Sequence, residues 1–295
     1  MKNIFAVLLS FALLATSGQV FAAGTCTSGG AGLLDGTADD TPWAVATAAG
    51  TGCSNTTGAI LAPDDTNVLS IGHAITAPTA ATISVSSVAF TTGGSLTLTG
   101  KTLNVGTTLN TTNGTVTIGA GGTLSVTGTI TNAGTLSANG GTLILGGNLN
   151  NTGGTFTPGT GTVKVLGSST ITLTSDEILN VLDLSALPSG STITFVGASN
   201  HTITTLTLPT ANAAGGAAKT VIFKVPSTQT LQIPAATTGC VATGYTFTGG
   251  LMTGTATATD NVTCTVPPAT VTPSVSAPIF STKEKPAVFS EEVKN

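Results

Sequence analysis

Residues 94–165 fall into rows of twenty: GSLTLTGKTLNVGTTLNTTN (94–113), GTVTIGAGGTLSVTGTITNA (114–133), GTLSANGGTLILGGNLNNTG (134–153) and the partial row GTFTPGTGTVKV (154–165). One glycine series heads the rows at Gly94, Gly114, Gly134 and Gly154. A second runs Gly122, Gly141, Gly161 and a third Gly128, Gly147, Gly167, each stepping by nineteen or twenty. Between the glycines apolar and small polar residues alternate, as in Leu96/Leu98, Val116/Ile118, Leu124/Val126, Leu143/Leu145 and Val163/Val165. Period two is the mark of a strand with one buried face. Three short strands per twenty residues, with a glycine turn before each, is the arithmetic of a right-handed parallel β-helix. Glycine is expected at the corners for its tolerance of positive φ.

Outward from this stretch the repeat loosens but persists, through Ile171/Leu173, Leu182/Leu184, Ile193/Phe195, Leu206/Leu208, Val221/Phe223/Val225 and Leu231/Ile233. The run TANAAGGAAK (210–219) reads as a loop inserted between coils. Roughly nine coils at about 4.8 Å give a shaft on the order of 45 Å. A Greek-key sandwich also has many short strands, but it has no reason to hold a constant period.

The composition fits such a stack. The chain has 295 residues, of which 7% are charged and 4% aromatic, with no arginine and a net charge of -4. Ordinary soluble domains are about a quarter charged. Threonine alone supplies about a fifth of the chain, as suits the outward positions of a pleated ladder. Like charges on neighbouring coils would sit about 5 Å apart and repel. The same numbers exclude a nucleic-acid binder, which needs basic residues to displace counterions. They also exclude a charged, solvated, disordered chain.

Residues 1–22 read as a secretory signal, with Lys2, the apolar run Ile4 to Ala15 and the small-residue site around Ala22. The apolar run is too short for a membrane span. Removing the signal leaves seven lysines against twelve acids, a net -5. Export permits disulfides. Four cysteines allow three pairings, of which the local Cys26–Cys53 and Cys240–Cys264 would staple the two ends. A metal site is the alternative, with no histidine at ligand spacing to support it. The organisation expected is therefore signal 1–22, N-terminal cap region 23–81, solenoid 82–266 and a Pro-rich charged tail 267–295.

Nothing in the sequence assembles a catalytic centre. His73 lies in a Gly-His-Ala-Ile-Thr turn, where a structural role in the N-terminal cap is expected, and His201 at a coil corner is expected to have no nearby acidic or cysteine partner. The carboxylates cluster as Asp35/Asp39/Asp40, Asp64/Asp65 and Asp176/Glu177 with Asp183. A glycosidase needs two carboxylates facing one another across a groove. Adjacent residues such as Asp176 and Glu177 point to opposite faces of a strand or sit in a loop. No cofactor is expected, and the chain reads as a non-enzyme.

Trp43, Cys53, Pro63 and the run Asp65–Thr76 (DTNVLSIGHAIT), leading into GGSLTLTG coils, resemble the opening of bacterial secreted β-helix surface proteins related to the eight-glycine domain. The coil GGTF (153–156) through GTVKV (161–165) is similar to one common in the same proteins. The resemblance covers about residues 40–175. It implies a β-helix fold and a surface role, in a family that spans adhesins, filament components and carbohydrate-active enzymes.

If Leu96, Val116, Leu136 and Phe156 point inward, then Ser95/Thr97, Thr115/Thr117, Thr135/Ser137 and Thr155/Thr157 form an outward hydroxyl ladder on four coils. The ladder resembles the ice-binding face of solenoid antifreeze proteins. The tail carries five prolines from Pro267 to Pro286 and the apolar residues Val275, Ile279, Phe280, Val288 and Phe289. Such a segment can add to the sheet edge or open end of a neighbouring subunit. The function expected is an exported structural element, an adhesin stalk or filament subunit, that associates with itself or with another surface protein. The alternative is a solenoid that binds ice or polysaccharide through the hydroxyl ladder.

Overall fold

The computed structural model describes residues 25–28, 32–33, 43–45, 68–76, 82–197, 200–209, 219–224, 230–234, 240–243, 246–248, 251–253 and 261–266. Residues 1–22, where a secretory signal is expected, Cys53, most of the run 210–219 and the whole tail, with Ile279, Phe280, Val288 and Phe289, lie outside the described residues. The described residues are all β-strand and turn, without a helix. They form a parallel β-solenoid of about seven turns, fewer than the nine expected.

Three sheets run along the shaft, which we call I, II and III in the order the chain visits them. Ser87–Phe90 lies in sheet I, Ser95–Leu98 in sheet II and Thr102–Val105 in sheet III, and the chain re-enters sheet I at Leu109–Asn110. Sheet II holds the twenty-residue register without slippage: Leu96 stands beside Val116, Val116 beside Leu136 and Leu136 beside Phe156. All four side chains are buried in one continuous core, which runs from Leu69 to Ile233. Each such aliphatic side chain contributes about 1.5–3 kcal/mol by leaving water. The parallel ladder also reaches back before residue 82, since Val68–Ile71 pairs with Ser87–Phe90 and Thr25–Ser28 pairs with Val68–Ile71.

The periodic glycines are not the residues with positive φ. That conformation falls one residue earlier, at Gly93, Gly121, Gly140, Gly153 and Asn113. All the periodic glycines but Gly167 are needed because the preceding coil leaves no room for a side chain. A Cβ on Gly161 would lie 1.7 Å from the Ala138 carbonyl oxygen, and one on Gly154 would lie 2.3 Å from that of Asn132.

At the corner between sheets I and II the core is polar. Thr111, Asn132 and Asn151 stack on successive coils and are fully buried. The Thr111 hydroxyl donates to Asn132 Oδ1. Asn132 Nδ2 donates onward to Asn151 Oδ1 at 2.5 Å and to the Thr155 carbonyl at 2.9 Å. Buried amides are costly unless paired, so this ladder fixes one coil directly above the next.

Beyond Val165 the cross-section changes. Sheet II ends at Thr155–Thr157, while sheets I and III continue through Ser169–Thr172, Glu177–Asp183, Ser191–Val196, His201–Thr207, Lys219–Lys224 and Thr230–Gln232. Three strands per coil become two. Inside Glu177–Asp183 the buried Leu179 and Leu182 are separated by the half-buried Asn180 and Val181. The strand therefore bends to turn a corner that a glycine turn makes elsewhere.

Among the described residues antiparallel strands lie at both ends of sheet I and at the C-terminal end of sheet III. Trp43–Val45 covers Thr25–Ser28. Asn261–Val266 pairs with Lys219–Lys224 and Cys240–Thr243, and Leu251–Thr253 pairs with Thr230–Gln232 and Thr246–Thr248.

Candidate functional site

The outward positions of sheet II form two in-register columns. One holds Ala74, Ser95, Thr115, Thr135 and Thr155, and the pairing also aligns Thr97, Thr117, Ser137 and Thr157 in the other. Thr115, Thr155 and Thr157 are exposed and the other expected hydroxyl residues half-buried. Hydroxyls therefore repeat at about 4.8 Å along the shaft and about 6.7 Å along a strand. Because χ1 of threonine is stiff, the array is ordered as well as periodic. Uncharged, with donors and acceptors on each oxygen, it suits a ligand that repeats its own hydroxyls or waters.

The sequence reading missed a second array. On sheet III, Thr82, Thr102, Thr123, Thr142 and Thr162 form an unbroken threonine column over five coils. Beside it run Ser84, Asn104, Ser125, Ile144, Lys164 and Asp183. The signal was available: each of these threonines precedes the first apolar residue of its strand, at the same period as the glycines.

The acidic cluster does not converge on a common point. Lys164 Nζ lies 3.1 Å from Asp183 Oδ2, across adjacent coils. Burial tends to raise the Asp183 carboxyl, but hydrogen bonds from Ser185 and Lys164 outweigh it and hold the carboxyl below its ordinary range. Glu177 accepts from the Ser175 hydroxyl at 2.7 Å, and Asp176 Oδ1 accepts from the Asn200 backbone N–H at 2.8 Å. Burial pushes the Glu177 carboxyl up, the Ser175 bond opposes this and Asp176 adds to it. Each carboxylate is thus held by its own local partner.

His73 is exposed, and its backbone carbonyl receives the Ser95 N–H at 3.0 Å. His201 is not at an outer corner. Its side chain is 1% exposed, packed 5.8 Å from the Phe195 ring, with neither ring nitrogen paired among the described residues. Burial pushes its imidazole below the ordinary range, against the pull of Asp176. Cys240 stands directly opposite the buried Cys264 in an antiparallel pair. Cys26 pairs through its backbone with Leu69 and Val45.

Among the described residues no group of three or more His, Cys, Asp or Glu is placed to hold a metal ion. No helix there is long and apolar enough to cross a membrane. The class these features define is a parallel β-solenoid with periodic hydroxyl faces. No protein-family model, curated protein or solved structure matches the chain.

Proposed function

We propose that this chain is a non-catalytic exported structural element of a cell surface or extracellular matrix, a stalk or filament subunit. The observation that carries the reading is the unbroken core from Leu69 to Ile233 inside a stack of hydrogen-bonded coils. A shaft of this kind resists bending because each coil is tied to its neighbours by both backbone ladder and core. The opposed Cys240 and Cys264 have the Cα spacing of an antiparallel pair, within disulfide range. We infer that they are joined in an oxidising compartment, which agrees with the signal-like residues 1–22. Export, surface attachment and the resemblance to eight-glycine-type surface proteins belong to this proposal. Fractionation of native cells tests it. Rod-shaped protein lacking residues 1–22, recovered from the surface or medium, is expected; recovery only from the cytoplasm with residues 1–22 retained would overturn it.

A second reading is favoured by the hydroxyl lattice of sheet II, which fits ice or a regular polysaccharide. Thr117→Lys and Thr155→Lys place charges on that face without touching the core. Loss of ice shaping or glycan binding in these variants supports ligand recognition. Absence of both activities in the unaltered protein removes it.

A further inference from the structure

The last parallel strand of sheet III joins the shaft through a short seam. Among the described residues Thr230–Gln232 meets His201–Thr207 with Leu231 beside His201 and Gln232 beside Thr202. One coil earlier the pairing is long, from Glu177 beside His201 to Asp183 beside Thr207. The short seam is reinforced by side chains. Asn200 Oδ1 accepts both the Thr230 backbone N–H and the Thr230 hydroxyl, each at 2.9 Å. The Asn200 N–H in turn donates to Asp176 Oδ1 at 2.8 Å. Asp176, Asn200 and Thr230 thus tie successive coils together at one corner. Beyond the seam, Leu231 stands opposite Met252 of the antiparallel strand Leu251–Thr253.

A buried histidine sits in this seam. His201 is the first residue of its strand and 1% exposed, with the Phe195 ring 5.8 Å away and both ring nitrogens unpaired among the described residues. A neutral imidazole has one donor and one acceptor to satisfy, and burying them unmade is costly. A cation in the same apolar seat would be costlier still. Burial accordingly holds the imidazole below its ordinary range, against the pull of Asp176. Glu177 stands in register beside His201, and Asp176 holds the N–H of the residue before it. Asp183 lies at the far end of the neighbouring strand and is paired with Lys164. Thr230–Gln232, Leu251–Thr253 and Ser191–Val196 contain no charged or titratable residue. In the sheet I strand Lys219–Lys224, Lys224 falls in the outward column of Thr194, and Lys219 opens the strand opposite Val266.

We infer that His201 is an acid-operated latch on the last parallel strand of sheet III. Neutral, its ring stays against Phe195 and the seam is shut. Protonated, the ring leaves the core for Glu177 and Asp176 at the corner. Asp176 then gives up the Asn200 N–H, Asn200 releases Thr230, and Thr230–Gln232 parts from the shaft with the antiparallel strand beside it. The released ring protonates near its ordinary value of about 6.5. Release is therefore favoured as pH falls below that value and is reversed on return to neutrality. Residues 87–165 contain no histidine and stay stacked. The inference goes beyond the structural reading above and holds whichever surface the shaft presents to a partner.

The test is hydrogen exchange of the full chain, read as protection factors so that the intrinsic pH dependence of exchange is removed. Between pH 7 and pH 5, protection in peptides covering 201–207, 230–232 and 251–253 should fall on the order of tenfold, with 87–165 unchanged. His201→Phe fills the seat with a ring that cannot charge and should abolish the fall. Asp176→Asn keeps an oxygen for the Asn200 N–H but removes the charge that draws the cation. In that variant the fall should persist with its midpoint moved to lower pH. No fall in the unaltered protein, an equal fall in His201→Phe, or a midpoint in Asp176→Asn that stays or rises would overturn the proposal.

Discussion

Residues 87–165 and residues 169–233 solve the same problem of stacking coils in two ways. The first region uses three short strands per coil, close-fitting glycines and an internal amide ladder, and keeps a register of 19–21 residues between partners such as Leu103, Leu124, Leu143 and Val163. The second uses two longer strands, one of them bent, and its register widens, with Leu182 beside Leu206 and His201 beside Leu231. The first is held by steric and polar constraints repeated from coil to coil. The second relies on apolar bulk, with Phe195 and Phe223 fully buried, and carries an unpaired histidine. Tight periodicity, in other words, is needed where backbones nearly touch and is dispensable where large side chains fill the space.

The largest expected effect comes from breaking the close approach in the first region. Gly161→Val forces atoms into the Ala138 carbonyl and should cost about 3 kcal/mol or more, read as a drop in denaturant midpoint. Stability within about 0.5 kcal/mol of the unaltered protein would show that the coils separate freely. Next comes the amide ladder. Asn132→Ala leaves the Thr111 hydroxyl and Asn151 Oδ1 without their partner and should cost about 2–3 kcal/mol. Exchange of backbone amides around residues 111–155 should rise first, and a uniform rise along the shaft would argue against a local pin.

The smallest effect distinguishes the second region. Because burial depresses the folded-state pKa of His201 below its unfolded value near 6.5, the unfolded state binds more protons below that pH. Stability is then level above pH 6.5 and declines as pH falls towards the folded-state pKa. Glu177, raised by burial, works in the opposite sense closer to its ordinary range, so the histidine effect is best read between pH 6.5 and 5. Amide protection factors should fall in 191–233 before 87–165 over that window, and His201→Phe should abolish the difference. An equal loss of protection in both regions would break the comparison.

The sequence was most informative where the structure is most repetitive. The glycine series and the inward Leu96, Val116, Leu136 and Phe156 give the register of sheet II residue by residue, because a fixed coil length leaves a fixed period. The hydroxyl ladder follows from it directly. The burial of Asn132 was not legible, since an asparagine beside a glycine turn reads as a surface corner. Only its alignment with Thr111 and Asn151 betrays it. The loss of sheet II after Thr157 and the antiparallel closing strands leave no mark either, because period two is the same for a strand of either direction and any coil size. His201 was misplaced for a related reason: Ser-Asn-His-Thr has turn composition, yet Phe195 and the coils on either side draw the ring into the core.

The steric fit of the periodic glycines bears on how such a molecule changes over generations. Since each coil between Gly94 and Val165 offers its successor nearly the same backbone surface it received, a block of twenty residues duplicated there would meet compatible neighbours above and below. The reach of the shaft is then a copy number, adjustable in increments of about 5 Å without redesign of either end.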